Sequence, residues 1–166
     1  MQEVIKKNFS EHLDVINKVL GSNSDSIDLF GNLLTTCLEN DGTIFWCGNG
    51  GSASDSQHIS AELVGRFKKD RRALRSIALT TDTSVLTCLS NDYDYDQIFS
   101  RQIETLGGKN DCLMAISTSG NSKNVINGLN KANECGLKTI GILGNEGGQL
   151  KNLCKHNLIV NSKNTA

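Results

Sequence analysis

Five short runs, TIFWC (43–47), SIALT (76–80), CLMAIS (112–117), KTIGIL (138–143) and NLIVN (157–161), are apolar almost throughout. Polar segments of helical period separate them, near 53–67, 93–106, 122–135 and 147–154. A strand with one wet face alternates apolar and polar residues. These runs do not alternate, so each is read as buried on both faces. Strands separated by helices pair in parallel, and helices must then cover both sides of the sheet. The pattern predicts a five-stranded, doubly wound parallel α/β sheet over 42–166, in one domain spanning 1–166 with no linker or internal repeat. Upstream, Ile5, Phe9, Leu13, Ile16 and Leu20 recur at three- and four-residue steps and predict an amphipathic helix over 2–20. GSNSDS (21–26) reads as a turn and 27–40 as a second helix ended by NDG, giving an N-terminal helical hairpin over 1–41.

Composition narrows the partners. The 166 residues carry a net charge of −1, so no global field draws the chain to nucleic acid or to an anionic membrane. The one basic run, RFKKDRRALR (66–75), has no aromatic platform beside it for stacking bases and reads as a solvated loop. The six cysteines are widely spaced, form no Cys-x-x-Cys pair and mostly replace apolar residues within hydrophobic runs. They read as buried core thiols of a reducing compartment. With no signal-peptide core and no run of membrane-spanning length, the expected location is the cytoplasm.

In an open parallel sheet, ligands bind beyond the carboxyl ends of the strands. Three segments fall there: CGNGGS after the first strand, TTDTSVLTCLSND after the second and STSGNS after the third. GNGGSA (48–53) fits the form of a dinucleotide fingerprint, which also needs an acidic residue about 20 positions on, at the end of the second strand. Asp70 has that offset but precedes the strand, and Asp82 ends the strand but lies too far along. A triphosphate loop would need a Gly-Lys-Ser/Thr sequence, which does not follow. STSGNS is more informative: Ser117, Thr118, Ser119 and Ser122 surround Gly120 where a helix begins. Hydroxyls, exposed amides and the positive helix end together suit a phosphate monoester; one of these serines could instead simply cap the helix. His58 and Glu62, four apart on a predicted helix, share one face. They could ligate a divalent metal, or the carboxylate could serve as a general base, or the two could form a surface ion pair. A phosphate cradle beside a carboxylate base suits aldose–ketose isomerisation of a phosphosugar.

CGNGGSASDSQHISAEL (47–63), ALTTDTSVLTCLSNDYDYDQIFSRQIETLG (78–107) and ISTSGNSKNVI (116–126) resemble the phosphoheptose isomerases, also called sedoheptulose 7-phosphate isomerases, over residues 40–162. The resemblance implies a sugar isomerase (SIS) domain, flavodoxin-like in topology, that converts sedoheptulose 7-phosphate to D-glycero-D-manno-heptose 7-phosphate. It implies that Asn49, Gly50, Gly51 and Ser52 line the sugar site, and that Asn91 and Asp92 contact substrate hydroxyls. Ser117, Thr118, Ser119 and Ser122 would hold the phosphate. Glu62 would be an acid/base group, with His58 and Glu62 among the ligands of a divalent metal, zinc. The family assembles as homotetramers whose sites draw residues from neighbouring subunits. It also carries a last helix, expected after Ala166, whose glutamine and histidine complete the metal site and supply the second acid/base group. A related branch that binds a replication initiator lacks a glutamate at the position of Glu62, and a non-catalytic sugar-phosphate sensor is the other alternative.

Overall fold

A computed structural model describes residues 1–165. The elements are α1 (Gln2–Glu39), β1 (Ile44–Cys47), α2 (Gly51–Val64), β2 (Ser76–Ala78), α3 (Thr83–Asp92), α4 (Ser100–Leu106), β3 (Cys112–Ser117), α5 (Lys123–Glu134), β4 (Lys138–Gly144) and β5 (His156–Val160). Short 3-10 turns cover Tyr95–Gln97 and Leu150–Asn152. All neighbouring strands pair in parallel, in the order β2-β1-β3-β4-β5. This is the flavodoxin-type order, as expected from the sequence.

Every residue of β1 and β3 is buried, and successive side chains enter opposite cores. Ile44, Trp46, Cys112, Met114 and Ile140 join Phe30 and Cys37 of α1, with Ile59 and Leu63 of α2 against them. Phe45, Cys47, Leu113 and Ala115 join Phe99, Ile103, Val125 and Leu129 from the α4 and α5 side. Strands buried on both faces therefore need helices on both, and the alternation of the pleat assigns each residue to its layer.

Helix α2 is polar yet lies flat on the sheet. Its buried residues are Ser52, Ser56 and Ser60, at four-residue spacing, and such small side chains allow close approach. The hydroxyls of Ser56 and Ser60 are satisfied in place: Trp46 Nε1 donates to Ser76 Oγ at 2.9 Å, Ser76 Oγ to Ser60 Oγ at 3.0 Å, and Ser56 Oγ to the Ser52 carbonyl at 2.8 Å.

Three expectations are corrected. The predicted hairpin over 1–41 is one helix of 38 residues. GSNSDS contains no proline, and its hydroxyls bond back to the preceding turn, Ser22 Oγ to Lys18 O at 2.7 Å and Ser24 Oγ to Leu20 O, so the helix runs on. Residues 83–92, outside the segments of predicted helical period, form α3. Asp82 caps it, its Oδ1 accepting from Val85 N–H at 3.0 Å. The segment predicted over 147–154 forms only the turn Leu150–Asn152. The helix expected after Ala166 lies outside the described residues.

Burial raises the thiols of Cys112 and Cys154 from 9.0 to about 12 and pushes Cys47 up further still. The unfolded chain ionises these thiols near the ordinary value while the native state does not. Stability is therefore complete below about pH 9 and falls as pH rises toward the native values. Urea denaturation at pH 8 and pH 10.5 checks this: the midpoint falls at the higher pH, and falls less in Cys112→Ala than in the parent.

Candidate active site

Because β1 leads outward to β2 and the chain then returns to β3, the turns leaving β1 and β3 diverge and open a crevice between them. On one side is the turn Gly48–Gly51. Gly50 has φ 57° and precedes α2, a left-handed conformation that glycine adopts freely. A Cβ on Gly48 would lie 2.7 Å from Ser52 Cβ and 2.9 Å from the Ile116 carbonyl, so only glycine lets α2 and β3 come this close. Ser52 N–H donates to Asn49 O, and Ala53 N–H to Gly50 O, both at 3.1 Å. These first amides of α2 are already engaged by the turn.

On the other side is STSGNS. Gly120 has φ 66°, and a Cβ there would fall 2.1 Å from the Gly147 carbonyl. The loop is held from behind by the β4–β5 connection: Leu150 N–H donates to Gly120 O at 3.0 Å and Asn145 Nδ2 to Thr118 O at 3.0 Å. Ser117 is buried, its Oγ accepting from Gly120 N–H at 3.1 Å, which shapes the bend. Thr118 and Ser119 are exposed and Ser122 is half-buried. Ser122 occupies the N-cap position of α5 without making a side-chain capping bond. That leaves its hydroxyl for a ligand at the positive end of a 12-residue helix. Ser52, Asp55, Ser117, Thr118 and Asn145 line a common hollow of about 180 Å³.

The remaining predicted residues stand apart from that hollow. His58 Nε2 and Glu62 Oε1 are 3.4 Å apart, their side chains 75% and 38% exposed. They lie on the flank of α2 turned away from the buried serines, and neither lines the hollow bounded by Ser52, Asp55, Ser117, Thr118 and Asn145. Asn91 and Asp92 end α3. Asn91 Nδ2 donates to Asp92 Oδ1 at 2.7 Å and Cys88 Sγ to Asp92 Oδ2 at 3.4 Å, and these two bonds hold the Asp92 carboxyl below its ordinary value of 3.8. Among the described residues, no group of three or more His, Cys, Asp and Glu side chains is placed to hold a metal ion. His58 and Glu62 by themselves are an imidazole and a carboxylate on one helix face, donor types that zinc accepts.

Arg71 was read only as part of a solvated basic run. Its guanidinium instead turns onto the end of α2, donating to the carbonyls of Glu62 at 2.8 Å, Leu63 at 3.0 Å and Arg72 at 3.0 Å. No basic residue occupies the last turn of α2 itself, so Arg71 supplies the donors and the positive charge that a helix C-terminus favours. Its spacing from the helix end carries no recognisable motif, so the sequence did not reveal it.

Comparison with known proteins decides the family. A family model described as SIS domain matches residues 8–144. The phosphoheptose isomerase of Aliarcobacter butzleri is 49% identical over 165 residues, covering 99% of this chain and 87% of the relative. The chain belongs to the phosphoheptose isomerase family of SIS domains. Among solved structures, phosphoheptose isomerase GmhA from Neisseria gonorrhoeae superimposes with a TM-score of 0.92 at 39% identity, covering 99% of this chain and 88% of that one. A phosphoheptose isomerase from Francisella tularensis gives 0.95 at 32% identity, with 99% and 87% covered. The long α1 and the five-stranded sheet are therefore the family's architecture.

The tight contact between Gly120 and Gly147 yields a prediction. Gly120→Ala must relieve both an unfavourable φ and a backbone clash, and should lower unfolding free energy by about 2–4 kcal/mol. Urea denaturation measures this, with Gly51→Ala, whose added Cβ meets nothing within 4 Å, as the mild control.

Proposed function

We infer that the chain interconverts sedoheptulose 7-phosphate and D-glycero-D-manno-heptose 7-phosphate, an early step toward nucleotide-activated heptose for surface polysaccharide. The observation that carries this reading is a hydroxyl-lined phosphate cradle and a helix-borne His58–Glu62 pair in a chain 49% identical to a named phosphoheptose isomerase. Thr118, Ser119 and Ser122 hold the phosphate with neutral donors, and the α5 N-terminus contributes its dipole. Asp92, kept ionised by Asn91 and Cys88, accepts hydrogen bonds from sugar hydroxyls. The Glu62 carboxylate removes the proton from the carbon beside the carbonyl, an enediol forms, and a proton is returned to the neighbouring carbon. His58 and Glu62 are the two ligands this chain offers to zinc; a bound divalent ion polarises substrate oxygens.

Ser52 touches the phosphate-side hollow, and Glu62 is ten residues further along the same helix. At the helical rise that is about 15 Å along the axis, longer than an extended heptose. A phosphate held in one chain is therefore better served by Glu62 from a neighbouring copy. Helix α1 supports such an assembly: Ile5, Phe9, Leu13, Ile16 and Leu20 form a stripe 48% to 68% exposed, an apolar face that calls for cover. A homotetramer with shared sites fits these features. No helix among the described residues is long and apolar enough to cross a membrane. The buried free thiols suit a reducing compartment, and we place the chain in the cytoplasm.

Glu62→Gln should lower kcat about 100-fold or more, while inorganic phosphate still inhibits whatever turnover remains. Unchanged turnover would remove Glu62 from the base role. His58→Ala should lose zinc on dialysis, read by metal analysis, with the helical circular dichroism signal unaltered; wild-type zinc content in that variant would refute His58 as a ligand.

Phe9→Glu combined with Ile16→Glu should dissociate the assembly in sedimentation experiments. Activity should fall with it although the fold persists, because a lone subunit cannot bring Glu62 to its own phosphate loop.

A further inference from the structure

The side-chain amide of Asn49 is engaged within the chain rather than held out toward a ligand. Its Nδ2 donates to Asn124 Oδ1 at 2.9 Å, and Asn124 Nδ2 donates back to Asn49 Oδ1 at 2.8 Å. Val125 N–H also donates to Asn124 Oδ1, at 2.9 Å. A backbone N–H can only donate, so this bond fixes which end of the Asn124 amide is oxygen, and the reciprocal pair fixes Asn49 in turn. The Tyr95 hydroxyl reaches Asn49 Oδ1 at 3.1 Å; facing an oxygen, it is the donor. Asn124 is 2% exposed, and a buried amide left unpaired is costly. The pair is thus a fixed part of the structure, while Tyr95, 53% exposed, closes it from the solvent side.

Three ligand segments meet at this amide. Asn49 belongs to the glycine turn after β1, Asn124 to the first turn of α5 directly after the phosphate loop, and Tyr95 to the 3-10 turn that follows Asn91 and Asp92. The 3-10 turn is moored to α5 twice more, by Asn127 Nδ2 donating to Asp96 O at 3.0 Å and by Lys123 Nζ lying 3.8 Å from Asp96 Oδ2. The first turns of α5 therefore hold both other segments at a set distance from the cradle.

We propose that Asn49, Asn124 and Tyr95 are positioning residues: a three-way hydrogen-bonded tie that keeps the glycine turn and the Asn91–Asp92 segment in register with the phosphate loop. The tie rests on the reading of STSGNS as the phosphate cradle. It gives Asn49 a role through its neighbours, beside the contact with substrate that the resemblance implies. The role proposed for all three is positional. Their effect is on where the sugar lies once its phosphate is anchored, which is an orientation effect on the chemical step.

Tyr95→Phe tests the tie, because it deletes one oxygen at an exposed site and leaves the ring. The expected result is a fall of about two- to tenfold in kcat/KM for sedoheptulose 7-phosphate, the worth of one neutral hydrogen bond. Competitive inhibition by inorganic phosphate, which reads the cradle alone, should keep its wild-type constant, and the thermal midpoint should fall by no more than the few degrees that one hydrogen bond is worth. Unchanged kcat/KM would overturn the proposal. So would a loss of phosphate inhibition in the same proportion, since the hydroxyl would then act on the cradle itself. Ser119→Ala, run beside it, reads the cradle separately: phosphate inhibition surviving that change in full would place the anion elsewhere and overturn the register on that distinct ground.

Discussion

Double burial of β1 and β3 is the constraint from which the remainder follows. Once Ile44, Trp46, Cys112 and Met114 face one way and Phe45, Cys47, Leu113 and Ala115 the other, neither layer of helices can be absent. The chain must cross the sheet after each central strand. Its two crossings from β1 and β3 go to opposite edges, and the gap between them is where a ligand fits. The crevice is thus a consequence of core packing, and the residues that fill it had only to be placed on the two turns that bound it.

The way α2 meets the sheet shows how tightly packing and chemistry are joined. A helix with larger side chains at 52, 56 and 60 would stand further off, and the glycine turn would move with it. Serine at all three positions keeps the helix close, and the Trp46–Ser76–Ser60 hydrogen bonds satisfy the polar atoms that this burial creates. Arg71 fixes the other end of the same helix by binding the carbonyls of Glu62 and Leu63. Both ends of the element that bears His58 and Glu62 are therefore held by contacts made elsewhere in the chain.

The strands, their parallel pairing and the two glycine turns were legible in the sequence because they rest on local pattern: apolar runs, helical period and glycine at bends. What escaped was whatever depended on partners distant in sequence or on polar side chains with two uses. The hydroxyls of Ser22 and Ser24 could end a helix or bond back along it, and only the continuous α1 shows which occurred. Asp82 was weighed as a ribose ligand and is instead the cap of α3. Asn49 also pairs with a partner 75 residues away, a pairing that no periodicity encodes. For the site itself, the phosphate loop was readable as four hydroxyls around a glycine. The outward flank on which His58 and Glu62 stand was not, because spacing on a helix gives a shared face and not the direction in which that face points.

That direction carries a functional consequence. Ser52, Ser56 and Ser60 must face the sheet, and a helix that commits one flank to a core cannot present that flank to solvent. His58 and Glu62 stand on another flank, 75% and 38% exposed, so their chemistry is offered outward from the sheet. A carboxylate base needs its substrate within hydrogen-bond reach, and the long apolar stripe of α1 supplies a means of bringing a second copy to it. On the proposed reading, assembly would be part of the catalytic apparatus: the packing that lays α2 against the sheet turns His58 and Glu62 outward, where a second chain could meet them.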